Sequence, residues 1–376
     1  MDGDDAKVTR VGPPGSGGPP AGRSFSAAFS ARFEIQSTLG SGGMGVVYLA
    51  VDKSLDRPVA IKFSHAQDAE ALARFAREGR VLARLRHPNL IQVYDTGEEG
   101  GHPFLVIEVA EGESLAERLE RDGELEPLET LGFALQIAAG LVSAHGQGVL
   151  HRDLKCANIL ITSEGSIKIC DFGLARTASV SDRVTTDGAF LGTPEYLAPE
   201  LVEGAPASVA SDLYAFGCVL TEMLTGLPPF PQQQKDGTSL SISDVVAAHL
   251  TKPIPIPSQR VPGIAPELDA LVAACLAKKP SGRPKDATSV LAELEALERK
   301  EAVRSHVRLR AASGVRPRGS RVSASPAPTT LILSRPVDAD ATGPHSMVPP
   351  AASSSRRLLA GVAASLLLLG LSVLAA

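Results

Sequence analysis

The amino-acid sequence predicts an α+β domain with two lobes, the first rich in strands and the second mainly helical. The β-rich runs come first, at residues 32–40, 46–52, 58–63, 90–97 and 103–110. Between them, residues 68–85 repeat apolar side chains at the spacing of a helix with one buried face. After Gly112 helical patterns dominate, and residues 128–145 are the longest early example. Strands followed by helices, without regular alternation, are typical of the α+β class.

The composition is that of a globular protein large enough to be an enzyme. The chain has 376 residues, of which 44% are hydrophobic and 21% charged, so we expect two globular units or one large unit with appendages. Its clustered glycines and prolines exclude a collagen-like or wholly disordered chain. The net charge of -5 indicates no nucleic-acid partner. The four cysteines lack CxxC spacing, which argues against a disulfide framework or a zinc site.

Changes in composition divide the chain into four segments. Residues 1–31 are expected to be a disordered Gly/Pro-rich tail, and residues 32–298 form the patterned domain. Residues 299–357 are expected to be a basic disordered juxtamembrane linker, because nine arginines between residues 301 and 357 outnumber three acidic residues. Residues 358–376 carry no charge and are long enough for a single transmembrane helix.

The flanking charges predict how this helix is oriented. Arg356 and Arg357 directly precede it, and positive residues favour the cytoplasmic side. Acidic residues follow Met1, so no signal peptide is predicted. We therefore expect a single-pass protein of the cell's inner membrane, with the patterned domain in the cytoplasm and no external sensor. The alternative for residues 358–376 is a buried amphipathic helix, which their all-round apolar character disfavours.

Small residues are concentrated between Gly40 and Val47, where the sequence fits G-x-G-x-x-G-x-V. Glycines let backbone N–H groups approach phosphate oxygens closely. Because strand-like residues 46–49 follow, we expect a hairpin over a nucleotide and not the strand-to-helix turn of a dinucleotide-binding fold. Taken alone, the pattern fits a plain β-turn equally well.

A lysine ends the apolar strand run Val59-Ala-Ile-Lys62. A charge in such surroundings needs a partner. Glu78, at the edge of the apolar face of the helical run, is the candidate, and a paired Lys62 could bind anionic oxygens. The alternative is a surface lysine and a solvated glutamate.

Two aspartates and one asparagine lie on loops between apolar strand runs. They belong to the motifs His151-Arg-Asp153-Leu-Lys155-Cys-Ala-Asn158 and Asp171-Phe-Gly173. Carboxylate and amide oxygens are ligands that Mg²⁺ prefers. With the glycine run, Lys62 and the sequence GTPEYLAPE, these motifs occur in a specific order. Residues 33–297 thereby resemble the catalytic core of a eukaryotic-like (bacterial-type) Ser/Thr protein kinase.

This resemblance implies the bilobal protein kinase fold, with an antiparallel sheet and one helix in the N-lobe and a mainly helical C-lobe. It also implies ATP and Mg²⁺ (or Mn²⁺) as cofactors and protein substrates as partners. The nucleotide-binding residues it implies are Gly40, Ser41, Gly42, Gly43, Gly45, Val47, Ala60, Lys62, Glu108, Ala110 and Leu160. The glycines would cover the phosphates, and backbone groups near Glu108 and Ala110 would hold the adenine.

The catalytic residues that the resemblance implies are Asp153, Lys155, Lys62 and Glu78. Asp153 would accept or orient the proton of the attacking hydroxyl, and Lys155 would lie near the γ-phosphate, as in Ser/Thr kinases. Asn158 and Asp171 would hold the metal ions.

Other residues are expected to support the fold or to depart from the family pattern. Glu200 should pair with Arg283, and Asp212 should hold the catalytic loop from a buried helix. Cys156 stands where the family usually has proline, which removes a fixed φ but no catalytic atom. Cys170 is either a reactive thiol or, as we favour, a buried inert cysteine.

We hypothesise that phosphorylation regulates the activity of this chain. Thr185 and Thr186 are the candidate regulatory phosphosites, because a phosphate there would pair with Arg152. Membrane tethering would raise the effective concentration and favour a homodimer in which one copy phosphorylates another. The polar run at residues 231–244 predicts an exposed loop of unknown role.

Two rival functions remain to be weighed against a protein kinase. A pseudokinase scaffold has no need for the complete set of charged motif residues, and a small-molecule kinase, such as an antibiotic phosphotransferase, lacks a GTPEYLAPE-type segment.

Overall fold

The computed structural model describes residues 24–42, 45–65, 68–172, 193–233 and 237–312. In these residues the N-lobe holds a five-stranded antiparallel sheet in the order β1-β2-β3-β5-β4. Its strands are β1 (Phe33–Gly42), β2 (Gly45–Asp52), β3 (Arg57–Ser64), β4 (Val93–Glu99) and β5 (His102–Ile107). Strand β3 is buried from Val59 to Ser64 and is the central strand of the sheet.

Helix α2 (Ala69–Leu82) packs on one face of this sheet, as predicted. The Asp68 carboxylate caps it by accepting a hydrogen bond from Ala71 N at 2.7 Å. A Cβ on Gly79 would lie 2.4 Å from Leu105 Cδ2, so a small residue lets α2 approach β5. This close packing brings the neighbouring Glu78 towards the space between the lobes.

The predicted boundary between tail and domain is wrong by about eight residues. Helix α1 (Ala27–Arg32) precedes β1, and Ser26 caps it while bonding to Glu99 through Oγ at 2.9 Å. Phe25 and Phe29 stack at 4.7 Å between ring centroids, and Phe29 meets Phe104 of the sheet at 5.3 Å. Residues 24–31 therefore belong to the N-lobe, because two phenylalanines one helical turn apart bury their rings on it. Residues 1–23 lie outside the described residues.

The C-lobe is mainly helical, as predicted, and carries a small antiparallel sheet of β6 (Gly112–Ser114), β7 (Ile159–Thr162) and β8 (Ile167–Ile169). Its helices are α3 (Leu115–Asp122), α4 (Pro127–Gly146), α5 (Pro199–Val202), α6 (Val209–Thr225), α7 (Ile242–Thr251), α8 (Pro257–Arg260), α9 (Pro266–Cys275) and α10 (Ala287–Ala312). Helix α6 is buried along most of its length and packs against α4 and α9. Helix α6 therefore supports the loops that carry the predicted catalytic residues.

Two other boundary predictions need correction. Helix α10 passes the expected domain end at residue 298 and runs to Ala312, because no glycine or proline interrupts the chain from Ala287 until Gly314. Helix α7 begins inside the expected loop at residues 231–244. Ser241 and Asp244 form a capping box that starts it, which is a signal that the sequence already contained.

Among the described residues, α4 is the only helix long and apolar enough to cross a membrane. It is a core helix, since Ile137 and Leu141 are fully buried and it packs against α6 and α10. The predicted transmembrane helix at residues 358–376 lies outside the described residues.

Candidate active site

The glycine run forms the hairpin between β1 and β2. Gly40 pairs with Val47, and Gly42 pairs with Gly45. Gly45 has φ = 150°, and a Cβ there would lie 1.9 Å from the carbonyl oxygen of Phe63 on β3. No other residue fits at this position without moving the backbone. Gly43 falls outside the described residues.

The apolar residues expected to enclose the adenine, Val47, Ala60 and Leu160, are all buried. Ala110, in the connection between the lobes, is expected to bind the adenine through its backbone and is buried as well. In the connection, Glu108 N donates to Gln92 O at 2.9 Å, and the Glu108 carboxylate pairs with Lys168 at 2.8 Å. Sequence reasoning missed Lys168, because its partner lies 60 residues earlier on another element.

Lys62 and Glu78 do not pair with each other here, contrary to the prediction. The Lys62 ammonium instead donates to Asp171 Oδ1 at 2.7 Å, and both side chains are less than a tenth exposed. Asp171 satisfies the buried ammonium with φ = 56°, a left-handed conformation that is rare outside glycine and common at functional sites.

Glu78 is bound to a different cation. Its Oε1 accepts from Arg152 Nη1 at 2.9 Å, while its buried Oε2 has no hydrogen-bond partner among the described residues. Burial raises the pKa of the Glu78 carboxyl above its usual value, and Arg152 opposes this rise. The carboxylate is thus only half satisfied in its present place.

The catalytic loop, residues 151–158, is held by helix α6, as predicted. The Asp212 carboxylate accepts the backbone N–H of His151 at 2.7 Å and that of Arg152 at 2.9 Å. His151 Nε2 lies 2.9 Å from Cys170 O, and its Nδ1 lies 3.2 Å from Asp153 N. Burial lowers the pKa of His151, so the ring is neutral, with Nε2 as donor and Nδ1 as acceptor.

Asp153 and Asn158 lie side by side on this loop. Asn158 Nδ2 donates to the Asp153 carbonyl at 2.8 Å and to its carboxylate at 3.3 Å, which directs the amide oxygen of Asn158 away from that contact. The loop that carries Asp171 is joined to the same place, since Cys170 N donates to Asn158 O at 3.0 Å. The three predicted oxygen donors are therefore on two adjoining loops.

This donor set fits a magnesium ion. No group of three His, Cys, Asp or Glu side chains that could hold a metal occurs in the described part of the chain. Mg²⁺ needs no such group, because it usually takes one or two protein oxygens and completes its shell with water and phosphate. The amide oxygen of Asn158 and the Asp171 carboxylate meet that requirement.

The protein kinase domain family matches residues 33–294 of this chain. The chain belongs to this family. The serine/threonine-protein kinase PknL of Mycobacterium tuberculosis is 36% identical over 275 residues, which cover 72% of this chain and 67% of that protein. PrkC of Bacillus subtilis is 45% identical over 204 residues, covering 54% of this chain and 31% of that protein.

A third relative, PknB of Mycobacterium leprae, is 37% identical over 249 residues, covering 59% of this chain and 40% of that protein. The chain is a protein serine/threonine kinase of the bacterial type, and its family uses ATP with a divalent metal ion. The enzyme class predicted from the motifs is confirmed.

The segment that begins at Thr193 contacts the catalytic loop directly. Lys155 Nζ donates to Thr193 Oγ1 at 2.9 Å. Farther on, Arg283 binds both oxygens of Glu200, each at 2.7 Å, and both residues are buried. This confirms the predicted Glu200–Arg283 pair. Thr185 and Thr186 lie outside the described residues.

The four cysteines of the kinase are buried and free. Burial raises the pKa of the Cys170 thiol well above its usual value, and Cys170 Sγ lies 3.2 Å from Asn158 O. A protonated, enclosed thiol is a weak nucleophile, so the inert alternative for Cys170 is the better one. Cys156 Sγ lies 3.1 Å from Glu222 Oε2, and nothing in the sequence around either residue indicates this contact.

Proposed function

We propose that this kinase transfers the γ-phosphoryl group of ATP to Ser and Thr hydroxyls of proteins, its own chain included, with Asp153 as the residue that receives the hydroxyl proton. The main support is the Asn158 amide, which bonds to both the carbonyl and the carboxylate of Asp153. It holds the Asp153 side chain on the catalytic loop, from which the carboxylate would orient an attacking hydroxyl.

We assign neutralisation of the phosphate charges to Lys62 and Lys155. Lys62, held by Asp171, would contact the α and β phosphates, while Lys155 beside Asp153 would neutralise the γ-phosphoryl group. Asn158 and Asp171 would bind Mg²⁺, or Mn²⁺ in its place, and the bound ion supplies charge neutralisation and alignment of the phosphates.

Nucleotide binding is assigned to the hairpin and to the connection between the lobes. Gly40, Ser41, Gly42, Gly43 and Gly45 would cover the phosphates through their backbone. The adenine would bond to backbone groups near Glu108 and Ala110, between the buried side chains of Val47 and Ala60 above and Leu160 below. Enclosure by apolar residues is typical of such pockets.

Regulation would act through the partners of Arg152. In this structure Arg152 holds Glu78, so α2 is bound to the catalytic loop and not to Lys62. A phosphate on Thr185 or Thr186 would compete for the Arg152 guanidinium, because a doubly charged phosphate binds arginine more strongly than a carboxylate does. Glu78 would then be free to pair with Lys62.

Membrane attachment is proposed from the sequence. The uncharged residues 358–376, preceded by Arg356 and Arg357, would anchor the kinase in the inner membrane with its catalytic domain in the cytoplasm. Confinement would favour phosphorylation between two copies. A truncation after Ala312, which keeps α10 whole, should lose liposome binding and autophosphorylate more slowly than the full chain at matched concentration; equal rates with liposomes would contradict this step.

The catalytic proposal is tested with labelled ATP and Mg²⁺ on the full chain and on Asp153→Asn. We expect label on Ser and Thr of protein in the wild type and a loss of about 10³-fold in the variant, since proton acceptance and orientation are removed together. Label only on small molecules would indicate a small-molecule kinase. Nucleotide binding without any transfer would indicate a pseudokinase.

A further inference from the structure

Three parts of the kinase meet at the side chain of Glu222 on α6. Its Oε2 accepts a hydrogen bond from the Tyr196 hydroxyl and lies 3.1 Å from Cys156 Sγ. Tyr196 belongs to the segment after Thr193, and Cys156 belongs to the catalytic loop, where it is fully buried. One carboxylate oxygen thus joins the loop, the segment and the central helix.

The thiol is the donor in the contact with Glu222. Burial raises the pKa of the Cys156 thiol well above its usual value, so it keeps its proton, and a carboxylate oxygen can only accept. Tyr196 donates to the same oxygen for the same reason, since burial raises its pKa as well. Two donors on one charged acceptor give a fixed geometry.

Neighbouring residues of the catalytic loop make a second connection to the same segment. Lys155 donates to Thr193 at 2.9 Å, and the next residue, Cys156, reaches Tyr196 through Glu222. The loop and the segment are therefore joined at two places, three residues apart along the segment. Both connections hold the segment against the catalytic loop.

The backbone at Cys156 does not itself require cysteine. Lys155 before it is extended, with φ = -159° and ψ = 163°, which is the conformation favoured before proline. Cys156 is the first residue of a short 3-10 turn, Cys156–Asn158, and proline is accepted at the first position of a helical turn. What proline could not supply here is the hydrogen bond to Glu222.

We propose that Cys156 is a positioning residue for the protein substrate: its thiol, through Glu222 and Tyr196, sets the segment that follows Thr193 against the catalytic loop. The proposal rests on the proposed transfer to protein hydroxyls. Loss of the thiol should weaken the productive placement of a protein or peptide acceptor. It should leave ATP binding unchanged, because none of the three residues is assigned to the nucleotide.

The test compares Cys156→Ala, which removes the donor, with Cys156→Ser, which keeps one. Cys275→Ala is the matched control, since Cys275 is also a fully buried free thiol but lies on α9. KM for a Ser/Thr protein substrate, KM for ATP and kcat are measured on the full chain with Mg²⁺. We expect the protein KM to rise about three- to tenfold in Cys156→Ala, which corresponds to the loss of one ordinary hydrogen bond because a thiol is a weak donor, and to return within about twofold in Cys156→Ser. The ATP KM should stay unchanged in all variants.

The outcomes separate this inference from the proposed function. A wild-type protein that labels no protein substrate overturns the proposed function, whatever the variants do. A wild type that is active, with an unchanged protein KM in Cys156→Ala, overturns the positioning role alone. Equal changes in Cys275→Ala would also overturn it, because they would reflect general loosening of the core. If Cys156→Ala does not fold, Cys156→Pro gives the same test, since the backbone accommodates proline.

Discussion

The catalytic loop and helix α2 both present charged side chains to the active site, yet they are held in different ways. The loop is fixed by Asp212, a buried carboxylate with both oxygens on backbone N–H groups. Glu78 on α2 has one oxygen on Arg152 and the other buried without a partner in the described residues. A fully satisfied group has one favourable arrangement, whereas a half-satisfied one can gain by moving.

This difference indicates that the active site has two halves. The prebuilt half is the C-lobe with its catalytic loop, and the adjustable half is the N-lobe with Glu78 on α2. The C-lobe holds Asp153, Asn158 and Lys155 through hydrogen bonds within the chain, so little remains to be ordered there when a substrate binds. In the proposed regulation, the contribution of the N-lobe depends on whether Glu78 pairs with Arg152 or with Lys62. Bistable contacts of this kind are the usual basis of switching in enzymes.

The largest expected effect of a substitution is in the prebuilt half. Replacing Arg283 by alanine leaves the buried Glu200 carboxylate without its two hydrogen bonds, and breaking a buried pair in this way costs about 3–5 kcal/mol. We expect a drop of that size in the free energy of unfolding, measured by urea denaturation, with any remaining activity falling in parallel.

The matched control for this experiment is Arg299→Ala on α10. Arg299 and Glu295 form an exposed pair at 3.7 Å, and an exposed pair contributes less than about 1 kcal/mol. A similar loss in both variants would mean that burial of the Glu200–Arg283 pair has no special weight.

The next largest effect is on activity and concerns the adjustable half. Glu78→Gln keeps the shape but cannot form an ion pair with either cation. We expect the phosphorylated enzyme to lose about 30-fold in kcat/KM, or about 2 kcal/mol, while the stability of the unphosphorylated enzyme changes by less than about 1 kcal/mol because Arg152 is partly exposed. If the unphosphorylated enzyme loses activity to the same extent, Glu78 does not change partners.

Most contacts of the prebuilt half could be predicted from the sequence, whereas those of the adjustable half could not. The contacts of Asp212 and the Glu200–Arg283 pair could be predicted, since the family motifs imply their partners. The predicted Lys62–Glu78 pair was wrong for this structure. Two cations, Lys62 and Arg152, can pair with Glu78, and a sequence motif does not say which pair is favoured.

The Glu222 contacts were missed because Cys156 and Glu222 are 66 residues apart and neither residue type alone suggests a pair. Helix α1 was missed because two phenylalanines are too short a pattern to outweigh a Gly/Pro-rich tail.

Acid should destabilise the C-lobe through one buried histidine. His249 is fully buried, with Nδ1 2.7 Å from the Tyr214 hydroxyl. Burial, helped by the charge of Lys278, lowers its pKa to about 3. The unfolded chain therefore takes up the proton first, so the contribution of His249 is complete above its usual pKa near 6.5 and is lost as pH falls towards 3.

His249→Gln removes this titration. We expect the wild type to lose about 2 kcal/mol from this group between pH 8 and pH 5, and the variant to show a correspondingly flatter dependence in thermal or urea unfolding. Parallel pH curves for the two proteins would show that His249 is not the group responsible.

The smallest expected effect compares the helix caps of the two halves. Ser208 caps α6 in a capping box with Ser211, and Asp68 caps α2 through Ala71 N. Each alanine variant should cost about 1 kcal/mol of stability.

The two variants should differ in which part of the structure opens more easily. Hydrogen exchange should show that Asp68→Ala speeds exchange in α2 alone, since the amides of the catalytic loop are held by Asp212 and not by α2. Ser208→Ala should raise exchange in α6 and at His151 and Arg152 together, because Asp212 in the first turn of α6 holds both amides. Exchange that spreads from α2 into the catalytic loop would contradict the division into a fixed and an adjustable half.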